Sequence, residues 1–232
     1  MSLRQCAILV GGAGTRLGAL TQDTPKPMLS VAGKPFLEHL ITKAAHHGLD
    51  HILLLAGHQS QVVTRWLSDS AIAARLGLEI SLSVEPQPLG TGGAVAHARD
   101  QLEDAFLLIN GDTWFDFDWP ALARTDRHPA TLALRQIDQA DRYETVELSG
   151  DRVTRLAPRS GLPGPGLING GVYRLTKAAI SRAAGAFSLE TDLLPILCAA
   201  GHLGGGIFEG AFIDIGVPES YAAAQGLLSA RS

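Results

Sequence analysis

The sequence is poor in cysteine and lysine and has no long apolar segment. Its two cysteines, Cys6 and Cys198, are too few for a disulfide framework and lack the spacing of a metal site. No apolar run approaches the ~18 residues that span a bilayer, and no signal peptide is apparent after Met1. A net charge of −4 disfavours electrostatic binding of nucleic acid. The composition predicts a cytoplasmic protein with neither a nucleic-acid nor a membrane partner.

Apolar strands alternate with helical patterns along the first half of the chain. Strands are predicted at 6–10, 51–56, 78–84 and 105–109, with helices between them. This alternation is typical of βαβ units in a mostly parallel, doubly wound sheet. The second half is richer in strands, which indicates a small antiparallel addition. We expect an α/β, Rossmann-like fold in one domain over residues 1–232, because no linker or repeat divides the chain.

A glycine-rich turn follows the first predicted strand. Gly11, Gly12 and Gly14 let the backbone approach a phosphate and point amides at it. A dinucleotide fingerprint is disfavoured because Leu17 stands where it requires glycine, and the acidic residue expected about 20 positions on is missing. A P-loop is disfavoured because no Gly-Lys-Ser/Thr triplet follows. Hydride transfer and P-loop hydrolysis are therefore poor candidates.

Two cations follow the glycines. Arg16 offers a planar fork of donors to phosphate oxygens, and Lys26, one of four lysines, is a point charge between Pro25 and Pro27. The prolines restrict the local backbone, so Lys26 can be aimed at a ligand at small entropic cost. A glycine loop with two cations favours a triphosphate over a turn with solvated charges.

Two aspartates occupy positions where an unpartnered charge is costly or a ligand is expected. Asp112 comes just beyond the carboxyl end of a predicted strand, where open α/β sheets bind ligands. Asp214 lies between Ile213 and Ile215, so its charge needs a partner. Carboxylates that converge on phosphate oxygens form a Mg²⁺ site. A hydrogen-bonded structural aspartate is the alternative for each.

Together these motifs resemble the sugar-1-phosphate nucleotidyltransferases, a family also called nucleotide-sugar pyrophosphorylases. The family signature Gly-Gly-x-Gly-Thr-Arg-Leu stands at 11–17, and Pro-Lys-Pro stands at 25–27. Further matching motifs keep their order at 85–94, 110–112, 169–171, 190–192 and 212–216. The resemblance implies the nucleotidyltransferase fold, with a nucleotide-binding first half and a sugar-binding second half.

The resemblance also implies roles for individual positions. The implied catalytic residues are Arg16, Lys26 and Asp112, and the implied Mg²⁺ ligands are Asp112 and Asp214. The implied nucleotide contacts are Leu9, Gly11, Gly12, Gly14, Thr15, Arg16, Glu85, Gly90 and Thr91. The implied sugar contacts are Asn110, Arg159, Asn169, Gly170 and Glu190. An ordinary structural role is the alternative for the sugar contacts and for the turn at Gly90.

One branch of the family is especially similar to this chain. Segments 32–38, 110–113, 166–173 and 212–221 resemble the enzymes that join GTP to D-glycero-α-D-manno-heptose 1-phosphate and release pyrophosphate. The branch implies GTP and a sugar 1-phosphate as substrates, Mg²⁺ as cofactor, and a bacterial capsule, lipopolysaccharide or surface-layer glycan as destination. Another nucleotide, or mannose or glucose 1-phosphate, stays open. The oligomeric state also stays open, with a homodimer as one expectation.

Three departures and one competing motif support alternative functions. Pro158 and Arg159 replace a Glu-Lys pair of many members, and Glu144 replaces a glycine. A regulatory protein that binds a nucleotide sugar without turnover would account for them. A glycosyltransferase would use the Asp-Phe-Asp motif at 116–118, but it leaves Arg16 and Lys26 without a role. Pyrophosphate release from a nucleoside triphosphate separates a transferase from both.

Overall fold

The structure, a computed structural model, describes residues 3–12, 14–159, 161–180 and 185–230. Within these ranges, strands β1 to β13 are Gln5–Leu9, Ser30–Val31, Lys34–Pro35, His51–Ala56, Glu79–Val84, Ala105–Asn110, Thr113–Phe115, Ala130–Ile137, Thr145–Ser149, Arg152–Ala157, Gly166–Thr176, Leu203–Ile207 and Phe212–Asp214. Helices α1 to α8 are Phe36–His46, Ser60–Ser70, Ile72–Leu76, Gly90–His97, Trp119–Ala123, Lys177–Ile180, Leu194–Ala199 and Pro218–Ser229. Shorter helical turns cover Thr15–Thr21, Lys26–Met28, Arg99–Gln101 and Leu189–Leu193.

One mixed sheet of nine strands organises the fold, in the order β5-β4-β1-β6-β11-β8-β12-β10-β9. The four strands β5, β4, β1 and β6 are parallel, and β11 runs antiparallel between β6 and β8. At the far edge β9 and β10 form an antiparallel pair. The predicted α/β fold with an antiparallel addition is confirmed.

Both faces of the sheet are covered by helices. Cys6 and Ile8 of β1 belong to one core, which also contains residues of α1, α2 and α8. Ala7 of the same strand belongs to the other core, which contains residues of α4, α6 and α7. Strands buried on both faces must be apolar at every position, and this is why they appear as short continuous apolar runs. Among the residues that the structure describes, no helix is long and apolar enough to cross a membrane.

The strand ends bring the predicted site residues to one edge of the sheet. The parallel strands β1, β4, β5 and β6 all end there, and Val172 of β11 lies opposite Ile109 near the end of β6. In a separate two-stranded sheet, β13 pairs with β7 so that Asp214 lies opposite Thr113. The amide of Ile215 then donates to the carbonyl of Asp112 at 2.8 Å. Two aspartates about 100 residues apart in the chain therefore become neighbours.

Candidate active site

Two adjoining cavities lie beyond the ends of the parallel strands. The larger, of ≈ 490 Å³, is lined by Leu9, Gly11, Gly12, Leu55, Gly57, His58, Glu85, Pro86, Gln87, Pro88, Gly90, Thr91 and Ala94. The smaller, of ≈ 170 Å³, is lined by Leu9, Gly12, Gly14, Lys26, Pro27, Thr91, Asn110, Gly111 and Asp112. The larger cavity has a mainly apolar wall, and the smaller contains the cation of Lys26 beside Asp112, an arrangement that suits a ligand with a flat apolar end and an anionic end.

Glycine is required where the loops after β1 and β6 pack closely. A Cβ on Gly11 would lie 2.8 Å from the amide nitrogen of Gly57, and a Cβ on Gly111 would overlap the carbonyl oxygen of Leu9. Gly12 differs, because a Cβ there would meet nothing within 4 Å and the residue lines both cavities. Gly12 thus leaves open space beside exposed backbone, as close approach of a phosphate demands.

Lys26 and Asp112 form an ion pair in the wall of the smaller cavity. The Lys26 Nζ lies 2.8 Å from Asp112 Oδ2, and Thr113 Oγ1 donates to Asp112 Oδ1 at 3.1 Å. Lys26 is only 9% exposed, whereas the Asp112 side chain is 32% exposed. A buried lysine on a proline-flanked turn has few alternative rotamers, so its charge is fixed in place. The pair presents one cation and one partly solvated carboxylate to a ligand.

Asp214 is held by a tyrosine that the sequence did not single out. The Tyr143 hydroxyl donates to Asp214 Oδ2 at 2.6 Å, and the Gly216 amide donates to Oδ1 at 3.1 Å. Burial, together with the negative charge of Asp214, raises the pKa of Tyr143 to about 12, so it remains a donor at neutral pH. A Cβ on Gly216 would lie 3.9 Å from Arg16 Nη2, which places the Arg16 side chain beside Asp214. Arg16 is exposed and lines neither cavity.

The two aspartates are the residues that could hold a divalent cation. In the described part of the chain, no cluster of three or more His, Cys, Asp or Glu side chains could hold a metal ion. Among the described residues, each oxygen of Asp112 and Asp214 accepts one hydrogen bond. A carboxylate oxygen has two acceptor positions, so capacity for a cation remains. Mg²⁺ takes one or two carboxylates and completes its shell with water and phosphate oxygens, so this donor set fits Mg²⁺ bound together with a triphosphate.

The start of α4 forms one wall of the larger cavity and is packed against the segment around Phe187. Gly90 has a φ of +74°, and a Cβ on it would lie 2.5 Å from the Phe187 carbonyl oxygen. A Cβ on Gly92 would overlap the Phe187 ring, and the Gly92 amide donates to the Phe187 carbonyl at 3.1 Å. These glycines are thus needed for packing inside the protein. Gly90 and Thr91 still line the cavity, as does Glu85, whose carboxylate accepts the Leu89 amide at 3.0 Å.

The predicted sugar contacts meet at a buried tyrosine. Asn169 Nδ2 donates to the Tyr173 hydroxyl at 2.9 Å, and that hydroxyl donates to Glu190 Oε1 at 3.4 Å. Thr91 Oγ1 donates to Glu190 Oε2 at 2.7 Å. Asn110 lies near Tyr173, and its Oδ1 is buried without a partner among the residues that the structure describes. Burial raises the pKa of Tyr173 well above its usual value, so the hydroxyl stays protonated.

Other predicted residues do not join this network. Arg159 is exposed in the loop after β10 and lines neither cavity, and Glu144 is exposed as well. Gly170 is buried, and a Cβ on it would lie 2.5 Å from the Phe115 ring, so its lack of a side chain serves packing. The side chain of Thr15 lies outside what the structure describes.

Both aspartates of the Asp-Phe-Asp motif form ion pairs with basic side chains of the protein. Asp116 lies 2.7 Å from Lys43 Nζ, which also sits 5.2 Å from the centres of the Trp114 and Trp119 rings. Asp118 is exposed and pairs with Arg124 at 3.3 Å. Asp116 is partly buried, so 116–118 is not a fully solvated turn. The motif gives no support to a glycosyltransferase metal site.

Tyr143 and Tyr173 are the site residues that sequence reasoning missed. The sequence analysis gives a role to neither tyrosine. Tyr143 precedes Glu144, one of the departures from the family pattern, and Tyr173 lies in a predicted strand. A tyrosine in a predicted buried strand is itself a signal, because a buried hydroxyl requires a hydrogen-bond partner. That signal could have identified Tyr173. Nothing comparable marks Tyr143, whose partner is 71 positions away.

Comparison with known proteins shows which family this chain is similar to. The family model described as Nucleotidyl transferase matches residues 6–230. The chain is 36% identical over 219 residues to the D-glycero-alpha-D-manno-heptose 1-phosphate guanylyltransferase of Campylobacter jejuni, covering 94% of this chain and 96% of that protein. It is 34% identical to the protein of the same name from Aneurinibacillus thermoaerophilus, covering 95% and 96%. The crystal structure of HddC from Yersinia pseudotuberculosis complexed with GMP-PN is similar, with a TM-score of 0.85, 30% identity, and coverage of 97% of this chain and 100% of that one.

Proposed function

The chain belongs to the nucleotidyl transferase family, and from this we propose that it joins GTP to a sugar 1-phosphate, D-glycero-α-D-manno-heptose 1-phosphate, to give GDP-heptose and pyrophosphate. The observation that carries the proposal is the Lys26–Asp112 pair in the wall of the smaller cavity. The names of two relatives support the guanylyl group and the heptose. The complex of HddC with GMP-PN supports a guanine nucleotide.

In this proposal the nucleotide spans both cavities. The base and ribose occupy the larger cavity, between the Gly11–Gly12 turn and the wall that contains Glu85 and Gly90. The phosphates extend into the smaller cavity, where Gly12 offers space next to the backbone and Lys26 offers a charge. Arg16 lies outside the cavities beside Asp214, so it contacts the outer phosphates, which become the leaving pyrophosphate.

The chemical step is attack of a sugar phosphate oxygen on the α-phosphorus of GTP. A P–O bond forms to the sugar phosphate while the bond between the α-phosphorus and the pyrophosphate oxygen breaks. The nucleophile is already an anion, so no enzyme base or covalent intermediate is required. The protein then acts by positioning its substrates and by stabilising charge, with Lys26 beside the α-phosphate as the main fixed cation.

Asp112 and Asp214 hold Mg²⁺ in this proposal. When bound, Mg²⁺ offsets negative charge on the phosphates and lowers the barrier to attack. Asp112 contributes a partly solvated carboxylate, and its bond to Lys26 fixes the orientation of that carboxylate. Tyr143 and the Gly216 amide fix the orientation of Asp214 in the same way. The protein therefore supplies two oriented carboxylates before any substrate binds.

The experiment that tests the proposal is a grid of pyrophosphate-release assays. Five nucleoside triphosphates are each combined with heptose, mannose and glucose 1-phosphates in the presence of Mg²⁺, with EDTA as the matched control. We expect release confined to GTP with D-glycero-α-D-manno-heptose 1-phosphate. Release with another pair would keep the chemistry and overturn the substrate. If no combination releases pyrophosphate but calorimetry shows that GTP binds, the result would favour a regulatory protein.

A further inference from the structure

Thr91 lines both cavities, but its hydroxyl is directed into the protein. Thr91 Oγ1 donates to Glu190 Oε2 at 2.7 Å and accepts the amide of Leu189 at 2.8 Å. The single proton of the hydroxyl is therefore committed to a carboxylate. A position that resembles a nucleotide contact is instead bonded to a residue on the sugar side of the site.

Glu190 is held entirely by hydroxyl groups in these contacts. Thr91 and Ser188 both donate to Oε2, at 2.7 and 3.1 Å, and Tyr173 reaches Oε1 at 3.4 Å. None of these donors carries a charge, so none of these contacts is an ion pair. The contact of Oε1 is long, and this oxygen retains acceptor capacity for donors such as vicinal sugar hydroxyls.

The contact between Thr91 and Glu190 lies in a rigid frame. The amides of Gly92 and Gly93 both donate to the Phe187 carbonyl at 3.1 Å, and the Phe187 amide donates to the Leu89 carbonyl at 2.8 Å. Glycine is required at these positions of α4, because side chains there would collide with 185–187. The start of α4 and the segment before Glu190 therefore move as one unit, which is what precise positioning of a ligand group requires.

We propose that Thr91 is a positioning residue for the sugar, acting through Glu190, and that its hydroxyl makes no contact with the nucleotide. This inference rests on the proposed function. The chain of bonds Thr91–Glu190–Tyr173–Asn169 connects the wall of the nucleotide cavity with the strand that approaches the sugar. Loss of the Thr91 hydroxyl leaves Oε2 of Glu190 with only the longer Ser188 contact of the two. This weakens binding of the sugar 1-phosphate, while the shape of the nucleotide cavity is kept.

The test compares Thr91→Val, which has the same shape without the hydroxyl, with Thr91→Ser, which keeps the hydroxyl. For Thr91→Val we expect the KM of the sugar 1-phosphate to rise roughly tenfold or more, as for loss of one hydrogen bond to a charged group, with the KM of GTP within about twofold. Thr91→Ser should keep both values near those of the unaltered protein. Tyr173→Phe, which removes the hydroxyl that donates to the other oxygen of Glu190, should shift the same KM in the same direction.

The outcomes separate this inference from the function on which it rests. If the unaltered protein releases no pyrophosphate with any sugar 1-phosphate, the proposed function and this inference are both overturned. If the unaltered protein is active and Thr91→Val raises the KM of GTP instead, or changes neither KM, the inference alone is overturned. Should Thr91→Val fail to fold, the same comparison of the two KM values is made with Tyr173→Phe. An unchanged KM of the sugar 1-phosphate in that variant would overturn the inference.

Discussion

Replacing Lys26 by methionine removes the positive charge of this side chain from the smaller cavity and keeps most of the side-chain volume. Lys26 is nine-tenths buried and lies 2.8 Å from Asp112, so Asp112 loses its only observed cationic partner among the described contacts. Breaking a fully buried pair costs ~3–5 kcal/mol, but the Asp112 side chain is 32% exposed and water replaces part of the lost contact. We therefore expect a loss of about 1–2 kcal/mol in the free energy of unfolding.

The effect on catalysis should be larger than the effect on stability. A fixed charge next to the phosphorus under attack contributes about 3–4 kcal/mol of transition-state stabilisation, which corresponds to roughly 10²–10³ in kcat. The assay is pyrophosphate release at saturating GTP and sugar phosphate, with urea unfolding of the same preparations. Lys34→Met is the matched control, since Lys34 is exposed on β3. Turnover of Lys26→Met within about threefold of the control, on folded protein, would refute the role of Lys26.

Further predictions concern the metal ligands and the glycines of α4. Asp112→Ala should lower kcat by orders of magnitude and abolish the response to added Mg²⁺ while circular dichroism is unchanged; a normal Mg²⁺ response would contradict the assignment. Gly90→Ala should destabilise the protein by ~3 kcal/mol, because it adds a clash with Phe187 to an unfavourable positive φ, whereas Gly48→Ala, at φ +76° in open space, should cost only ~1 kcal/mol in urea unfolding. Equal losses for the two variants would show that the packing against Phe187 is unimportant. Because the pKa of Tyr143 is raised to about 12 in the folded protein, its stabilising contribution is complete below ~10 and is lost as the pH rises towards 12. Tyr143→Phe should therefore lose less stability between pH 9 and 11 than the unaltered protein, and an identical loss would contradict this.

The parallel part of the fold could be predicted because its signal is local. Strands buried on both faces produce apolar runs, and the predicted strands at 6–10, 51–56, 78–84 and 105–109 agree with β1, β4, β5 and β6 within one residue at either end. The pairing of β7 with β13 could not be predicted in this way. Each of these strands has three residues, and their partnership depends on contacts between positions about 100 apart.

In the candidate site too, residues close in sequence could be predicted, whereas contacts between distant residues could not. Glycines and cations next to the first strand are close in sequence, so Gly12 and Lys26 were predicted from the pattern and line the smaller cavity. The partners that orient the carboxylates are distant: Tyr143 for Asp214, and Thr91 for Glu190. Periodicity and spacing contain no information on which hydroxyl meets which carboxylate, because that depends on tertiary packing.

The most direct test of the central claim is the stoichiometry of a single reaction. The protein is incubated with GTP, D-glycero-α-D-manno-heptose 1-phosphate and Mg²⁺, and pyrophosphate and the nucleotide sugar are quantified over the same time course. Transfer of the guanylyl group predicts one GDP-heptose for each pyrophosphate released, with no free GDP or inorganic phosphate. Release of phosphate and GDP without a sugar adduct, or binding of GTP with no product at all, would contradict the account.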